Sequence, residues 1–366
     1  MHIGIDISQI VYEGTGVSRF TEGLIKAIIR HGKDEKWTFF FSSLRSRLNL
    51  PLQREIIKNN MSLKRIPLPP TILSVLWNDL HVIDIQTFTG KVDWFITSDW
   101  LEPPSSSKKT TIVHDLVYLR YPKTVTDSIK HVQSQRLKWI KQESRIVFCD
   151  SKSTKRDLVD LLNFSEDKLI VNYPGIEADN GSQTSTKSPD VRQKYSLKNP
   201  YVLSVGKLEP RKNIPLLITA FKELKLPNLE LVIVGPKGWD SADYQNSQNI
   251  HFLGYVEEAE LISLYKKALF FVFPSVWEGY GYPLVEAMRL GTPTAASNSS
   301  SLKELGENAS YLFDPEQKES LKRTIKELYY NAELRNELSR KGKKRAEDFS
   351  WEAYYSKLVN SLKERS

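Results

Sequence analysis

The stretch FPSVWEGYGYPLVEAMRLGTPTAAS, residues 273–297, places two carboxylates, Glu278 and Glu286, on either side of a Gly–Tyr–Gly–Tyr–Pro turn. LFFVFPS (269–275) reads as a buried strand, and PLVEAMRLG as a helix with Pro283 in its first turn and Gly291 past its end. The loop between them sits at a strand's carboxyl end and feeds a helix N-terminus. Free N–H groups and the helix dipole attract an anion there, and Gly279 and Gly281 let a ligand come close. A carboxylate beside such an anion needs partners of its own, and sugar hydroxyls, which donate to it, are the natural ones. The same spacing also fits a capping glutamate on a solvated helix face.

A second set lies upstream in SVGKLEPRKN (204–213), where Lys207, Arg211 and Lys212 cluster between a strand ending at Gly206 and a helix opening at Asn213. Three cations at a strand's carboxyl end suit a diphosphate, Arg as a planar fork and Lys as a point charge. Alone they would also pass for a solvated basic loop. Two such sets in one half of the chain favour a ligand, and Glu278 and Glu286 then read as groups for the two ends of a nucleotide sugar. In EGTGVSRF (13–20), Gly14 and Gly16 separate the first strand from the first helix. The spacing is neither a dinucleotide fingerprint nor a Walker loop, so it suits a closely approaching phosphate or sugar, or a tight turn. TIVHDLVYLRYP (111–122) sets His114 and Asp115 at a strand's end, where an imidazole can bond a hydroxyl or move a proton near neutrality, or be a structural polar residue. No H-x-x-x-H or Asp-x-Asp spacing suggests a metal site, so none is expected.

The elements that must hold these residues are legible from alternation. HIGIDIS (2–8), WTFFFSS (37–43), WFITS (94–98), TTIVHD (110–115) and RIVFCDS (145–151) are short apolar runs, and GVSRFTEGLIKAIIRHG (16–32) is helical. EADNGSQTSTKSPD (177–190) has almost no apolar residues and reads as a linker. After it come strands at 201–206, 229–235, 250–256, 269–275 and 292–297, helices at 213–224, 257–268 and 283–290, and a closing helix at 351–366. Apolar strands between helices predict parallel sheets covered on both faces. The expected class is α/β, with two doubly wound Rossmann-like domains facing a central cleft, 1–180 and 181–350, the 351–366 helix packing back on the first. Ligands in such sheets sit beyond the strands' carboxyl ends.

Length and composition agree. The chain has 366 residues, 40% of them hydrophobic and 11% aromatic, which excludes a disordered chain. One cysteine, Cys149, permits no internal disulfide and points to a reducing compartment. The start, MHIGIDIS, lacks the basic and apolar regions of a signal peptide, and nothing approaches a membrane span. A protein of the cytoplasm, or one lying peripherally on the inner face of the membrane, is expected. The net charge of +8 favours anionic partners. The first half's excess is concentrated in 101–156, with 12 Lys/Arg against 5 Asp/Glu. Read as a helix, 124–145 puts Val125, Ile129, Val132 and Ile140 on one face and Lys130, Lys138, Lys141 and Arg145 opposite. That face suits either solvent or an anionic membrane surface. Interleaved aromatic and basic stripes are lacking, so nucleic acid is not an expected partner.

WEGYGYPLVEAM with its Glu-x7-Glu element, VGKLEPRKN, VHDLVYLRYP, CDSKSTKRDLVDLL…VNYPGIE, LVIVGPKGW and FLGYV occur together over nearly the whole chain. In this combination the chain resembles the retaining, nucleotide-sugar-dependent glycosyltransferases of GT-B fold, glycosyl transferases group 1. The resemblance implies that Lys207 and Lys212, helped by Arg211, hold the donor diphosphate, with Gly14 and Gly16 in the loop that closes over it. It implies that Glu278 contacts the donor sugar, that Gly279, Tyr280, Gly281 and Tyr282 cradle phosphate and sugar, and that Glu286 binds the ribose. Tyr255 and Val256 fall where the family holds the base, and His114, with Asp115 beside it, where the family has a histidine near the transferred sugar. Lys207 stands where Arg or Thr is frequent, Tyr280 and Tyr282 where Phe and Leu are usual, and Lys303 replaces a usual Pro. The implied activity is transfer of a hexose to a hydroxyl of a glycan or lipid-linked glycan, without a cofactor or metal. HDLVYLRYP, EPRKN and GPKGW look most like members that use GDP-mannose to build cell-surface polysaccharide. The alternatives are a UDP- or dTDP-sugar, another GT-B activity such as an epimerase or phosphorylase, and a non-catalytic nucleotide-sugar or glycan-binding protein.

Overall fold

The computed structural model describes residues 1–12, 14–177, 190–238 and 245–366. The chain divides into two compact units, Met1–Glu177 together with Ser350–Ser366, and Ala178–Phe349. The stretch 177–190 expected as a linker lies outside the described residues except for Glu177 and Asp190, and so does Trp239 of GPKGW.

The first unit is a seven-stranded sheet of β1 (His2–Asp6), β2 (Lys36–Ser42), β3 (Ser62–Ile66), β4 (Trp94–Ser98), β5 (Lys108–Val113), β6 (Ser144–Cys149) and β7 (Leu169–Val171). Its order is β3-β2-β1-β4-β5-β6-β7 and every pairing is parallel. The inner strands are apolar on both faces because helices cover both; Phe39, Phe95, Ile96 and Phe148 are fully buried. β3 and β7 escaped the sequence reading for a physical reason. Both are edge strands, one the half-exposed SLKRI and the other three residues long, so neither needs a continuous apolar run.

The second unit is a six-stranded sheet of β8 (Tyr201–Val205), β9 (Glu230–Val234), β10 (Ile250–Gly254), β11 (Phe270–Phe273), β12 (Thr294–Ser297) and β13 (Tyr311–Phe313). The order is β10-β9-β8-β11-β12-β13, again all parallel. Short β13, an edge strand, was also unexpected. In each sheet the winding reverses beside the first strand, between β1 and β4 and between β8 and β11. Those are the two points where a crevice opens beyond the carboxyl ends.

The closing helix, Trp351–Glu364, belongs to the first unit. Gly23 and Gly175 make room for Trp351: a Cβ on Gly23 would lie 2.1 Å from Trp351 Cζ2, and one on Gly175 2.3 Å from Trp351 N. Phe20 meets the rings of Trp351 and Tyr354 edge-on at 5.5 and 5.4 Å. Asn172 Nδ2 donates to Tyr354 O at 3.1 Å, and Tyr355 and Lys363 both hold Glu35, at 2.7 Å each. No helix of the described residues is long and apolar enough to cross a membrane.

The basic stretch forms a helix over Asp127–Glu143, shorter than the 124–145 read from sequence. Ile140 faces inward as expected, but so does a cation. Arg136 is 2% exposed, and its Nη2 donates to Thr111 Oγ1 and Ile112 O, both at 2.9 Å.

Because Trp351 fills a slot that two glycines keep open, Trp351→Ala should leave a cavity costing about 3–5 kcal/mol in the first unit. Chemical denaturation should show that unit's transition moving to lower denaturant with the second unit's unchanged; movement of both together would contradict the assignment.

Candidate functional site

In the second unit the site grows from the ends of β8 and β11. After Val205 the chain passes through Gly206, whose N–H donates to Val234 O at 2.8 Å, and Leu208 N donates to Pro236 O at 3.1 Å. The neighbouring loop comes so close that a Cβ on Gly235, at φ +148°, would sit 2.0 Å from Gly206 O; only glycine allows it. A 3-10 turn, Pro210–Lys212, then leaves Asn213 left-handed at φ 58°, where its side chain donates to Pro315 O at 2.8 Å and the Ile214–Leu224 helix starts. This turn carries Arg211 and Lys212 to the end of β11, and Val276 N donates to Arg211 O at 2.9 Å.

The cations and Glu278, which sequence reading gave separate roles, form one cluster. Lys212 Nζ donates to Glu278 Oε1 at 2.6 Å and Arg211 Nη1 to Glu278 Oε2 at 2.7 Å. Arg211 also reaches Trp277 O at 3.2 Å and Glu209 Oε2 at 3.1 Å, and Lys207 lies 3.9 Å from Glu209 Oε1. Lys212 Nζ sits 5.1 Å over the Phe273 ring. Glu278 and Lys212 are only 7% and 8% exposed. Burial pushes the Glu278 carboxyl up, but Arg211 and then Lys212 outweigh it and hold its pKa at about 2. Burial and Arg211 lower Lys212, against the pull of Glu278. Three cations face two carboxylates, so the cluster keeps a positive excess that an arriving anion can use.

The loop after Glu278 is fixed from behind by serines. Glu278 N donates to Ser300 Oγ at 2.9 Å, Ser301 Oγ donates to Glu278 O at 3.0 Å and also to Tyr280 O, and Ser299 Oγ donates to Val276 O at 2.9 Å. Sequence reading passed over this SNSSS run, 297–301, whose position after β12 is the signal that could have found it. Gly279 and Tyr280 are buried, and the Tyr280 ring packs edge-on to Tyr282 and Phe349, at 5.0 and 6.2 Å. The Tyr280 side chain is thus turned into the fold. Gly281, φ 121°, precedes the Tyr282–Arg289 helix, which has Pro283 in its first turn. Glu286 lies one turn on, with Tyr265 OH 3.3 Å from its Oε2. At the end of β10, Tyr255 is 71% exposed while Val256 is buried.

The first unit assembles a second group at the ends of β1, β4, β5 and β6. His114, after β5, has Nδ1 2.7 Å from Asp150 Oδ2 and Nε2 2.9 Å from Ser98 Oγ, with Phe20 edge-on at 4.7 Å. The carboxylate on His114 is thus that of Asp150, after β6. Asp115, its sequence neighbour, is exposed and accepts from Val117 N at 3.0 Å. Burial works against charging His114, but Asp150 and Asp99 outweigh burial and Arg136, raising its pKa above the ordinary value. Asp6, the last residue of β1, is buried and raised to about 6 by desolvation, although Ser8 and Gln9 donate to it. Gln9 Nε2 also donates to Ser98 O at 2.6 Å. Gly14, left-handed at φ 76°, and Gly16, the first residue of the Gly16–His31 helix, are exposed, and Thr15 between them caps Ser18 N at 3.2 Å. Among the described residues no three His, Cys, Asp or Glu side chains gather as metal ligands would.

Residues 187–345 match the family Glycosyl transferases group 1. O-antigen chain mannosyltransferase B of Escherichia coli is 27% identical over 272 residues, covering 71% of each chain. The serotype-specific mannosyltransferase WbdA, also of Escherichia coli, is 29% identical over 220 residues, which are 56% of this chain and only 27% of that much longer protein. Among solved structures, a sucrose-phosphate synthase from Thermosynechococcus elongatus superposes with a TM-score of 0.74 at 18% identity over all of both chains. The fold is GT-B, two parallel-sheet Rossmann-like domains.

Removing one member of a buried ion cluster strands the others, so Glu278→Ala should cost about 3–5 kcal/mol in the second unit. A carboxyl held at about 2 against an ordinary 4.5 contributes stability above pH 4.5 that is lost as pH falls toward 2, about 3 kcal/mol in all. Denaturation between pH 5 and 2.5 should therefore show the wild type losing stability faster than Glu278→Gln. Parallel pH dependence in the two proteins would refute the ion-pair account.

Proposed function

We propose that this chain, a group 1 glycosyltransferase by its domain at residues 187–345, moves a hexose from a nucleoside-diphosphate sugar to a glycan hydroxyl with retention at the anomeric carbon. The observation that carries this reading is the buried Arg211–Glu278–Lys212 cluster at the switch point of the second sheet, next to the N-terminus of the Tyr282–Arg289 helix. Lys207, Arg211, Lys212 and that N-terminus would bind the donor diphosphate, and Gly14 and Gly16 would offer backbone to a phosphate. When the diphosphate takes over Arg211 and Lys212, the Glu278 carboxylate is released to accept sugar hydroxyls. The 279–282 backbone cradles sugar and phosphate, Glu286 accepts from the ribose, and Tyr255 and Val256 serve the base. His114 serves a hydroxyl of the transferred sugar.

In the reaction the acceptor oxygen bonds to the anomeric carbon as the bond from that carbon to the diphosphate oxygen breaks. The electron pair leaves with the diphosphate, the acceptor's proton passes to the departing oxygen, and a nucleoside diphosphate is released. Attack and departure on the same face need no protein nucleophile. The fixed cations stabilise the charge that develops on the leaving group, so no divalent metal is required. Losing one of them should slow transfer on the order of 10²–10³-fold. The names of the relatives, O-antigen chain and serotype-specific mannosyltransferases, support mannose as the sugar and a surface glycan as acceptor; GDP-mannose as the donor and a lipid-linked or growing glycan as the acceptor complete the proposal.

Calorimetry with GDP, UDP, dTDP and ADP, with and without Mg²⁺, tests the donor. GDP should bind without metal, and Glu286→Ala should weaken it about tenfold or more, one lost charge-assisted hydrogen bond being worth about 1.5–3 kcal/mol. UDP or dTDP binding instead would move the donor assignment. Failure of all four would retire the donor site, and binding without turnover of any mannosyl acceptor would leave a glycan-binding protein.

A second reading concerns where the enzyme works. Beside the Asp127–Glu143 helix, five large apolar side chains, Ile72, Val75, Leu80, Val82 and Ile83, are 43–61% exposed. The helix is tied to that segment by His131 to Asp79 at 2.9 Å, Trp139 Nε1 to Asn78 O at 2.7 Å, and His81 stacked on Trp139 at 3.7 Å. Lys138 lies 5.0 Å over the same Trp139 ring. Apolar tips next to exposed cations suit the interface of an anionic membrane on the cytoplasmic side, where a lipid-linked acceptor would be met. Sedimentation with phosphatidylglycerol vesicles should capture the protein at low salt, and Leu80→Asp/Val82→Asp should abolish capture. Capture equal on neutral vesicles, or none, would remove the membrane reading.

A further inference from the structure

Behind His114 lie buried groups that the reaction above leaves unused. Asp150, 3% exposed, receives the His114 Nδ1 at one oxygen, while its other oxygen, Oδ1, is buried with no hydrogen-bond partner among the described residues. Tyr354, 1% exposed on the closing helix, carries a hydroxyl that is buried and unpartnered in the same sense. Phe20 is the ring that ties the two positions together; burial first, and the charge of Asp150 next, hold the Tyr354 phenol well above its ordinary range. Phe20 packs edge-on to both the His114 and Tyr354 rings, closing the space around them.

The two atoms do not bond one another directly among the described residues, so what would satisfy both is one buried water between them. A carboxylate 2.7 Å from Nδ1 can only accept, which places a proton on Nδ1. Nε2 is then turned toward Ser98 Oγ, the polar atom bonded to it among the described residues. A serine hydroxyl in that place mimics what a sugar hydroxyl would offer.

We propose that Asp150, backed by Tyr354 of the chain-terminal helix, is the positioning residue for His114, fixing the Nδ1–H form and the ring plane so that Nε2 is presented to a substrate hydroxyl. This rests on His114 serving the transferred sugar. The charged groups around the imidazole are Asp150 and Asp99, which favour its protonated form, and Arg136, which opposes it. Asp115 is a neighbour of Asp150 and Asp99 but is taken up by Val117 N. Asp150 is therefore the carboxylate whose removal should move His114 most.

The test follows His114 by NMR of the full-length protein with 13C-labelled histidine, in the wild type, Asp150→Asn and Tyr354→Phe, with His114→Ala for assignment and transfer kinetics on all four. Asp150→Asn should lower the His114 midpoint by about one pH unit or more and cut kcat about tenfold or more at nearly unchanged donor KM. Tyr354→Phe should move the midpoint the same way by less. A His114 midpoint unmoved in Asp150→Asn overturns the proposal, as does full kcat in that variant while His114→Ala is crippled. If Asp150→Asn does not fold, Tyr354→Phe, which removes one hydroxyl, decides: an unmoved midpoint there overturns it. His114→Ala transferring at the wild-type rate would overturn the sugar role itself, and the titration keeps that result distinct from the pairing.

Discussion

A buried carboxylate must be matched by buried cations, and the second unit is arranged around one such match. Glu278 cannot stay ionised at 7% exposure without Arg211 and Lys212. Those two cations can reach it only if the loop after β8 lies against the loop after β11. The glycine at 235, the left-handed turn at Asn213 and the serine props at 299–301 all serve that approach. The parallel order, with β8 and β11 adjacent although 64 residues of chain separate Val205 from Phe270, brings the two loops to one place. The cluster thus converts sheet topology into a site whose charge is assembled before any ligand arrives, which is the condition under which fixed dipoles and charges lower a barrier.

The first unit solves a related problem with a different outcome. Its switch point gathers Asp6, Asp99, His114 and Asp150 at strand ends, with one nearby cation of fixed charge, Arg136, brought in by the basic helix. Burial is the first cause raising these carboxyls, Asp6 at about 6 being the clearest case, while the charges of Asp150 and Asp99 favour a protonated His114. Such a gathering suits hydroxyls and protons, whereas the second unit's cluster suits phosphate oxygens. The division of chemistry between the units follows from which strand ends carry acids and which carry cations.

Much of this was legible in the sequence. Apolar runs ended by Gly206, Gly235 and Gly291 marked the inner strands and a helix end, and the cations at 207–212 and the glutamates at 278 and 286 stood where strands end. What could not be read was pairing across distance. Glu278 meets Lys212 across 66 positions, and His114 meets Asp150 across 36, while its adjacent Asp115 caps a turn. Sequence proximity suggested His114–Asp115; geometry favours the residue on the neighbouring strand, because side chains beyond a parallel sheet meet sideways. The edge strands β3, β7 and β13 were missed because an edge needs less apolar surface. Arg136 was not singled out within the basic stretch, yet it turns inward to bond Thr111 and Ile112.

The Trp351–Glu364 helix shows how a segment far along the chain bears on side chains at the middle of a sheet. Trp351 enters a slot between Gly23 and Gly175, and its seating sets the depth of Tyr354 one turn further along. Phe20 then touches Trp351, Tyr354 and His114 at once. A close-packed interior does not deform continuously, so shifting the helix would displace Phe20 and, with it, the wall against which the His114 ring rests. The imidazole is therefore held on three sides: by Asp150 at Nδ1, by Ser98 at Nε2 and by Phe20 across its edge. Of these, the contact at Ser98 alone joins His114 to a neutral side chain that both donates and accepts, which is the kind of partner a sugar hydroxyl would be.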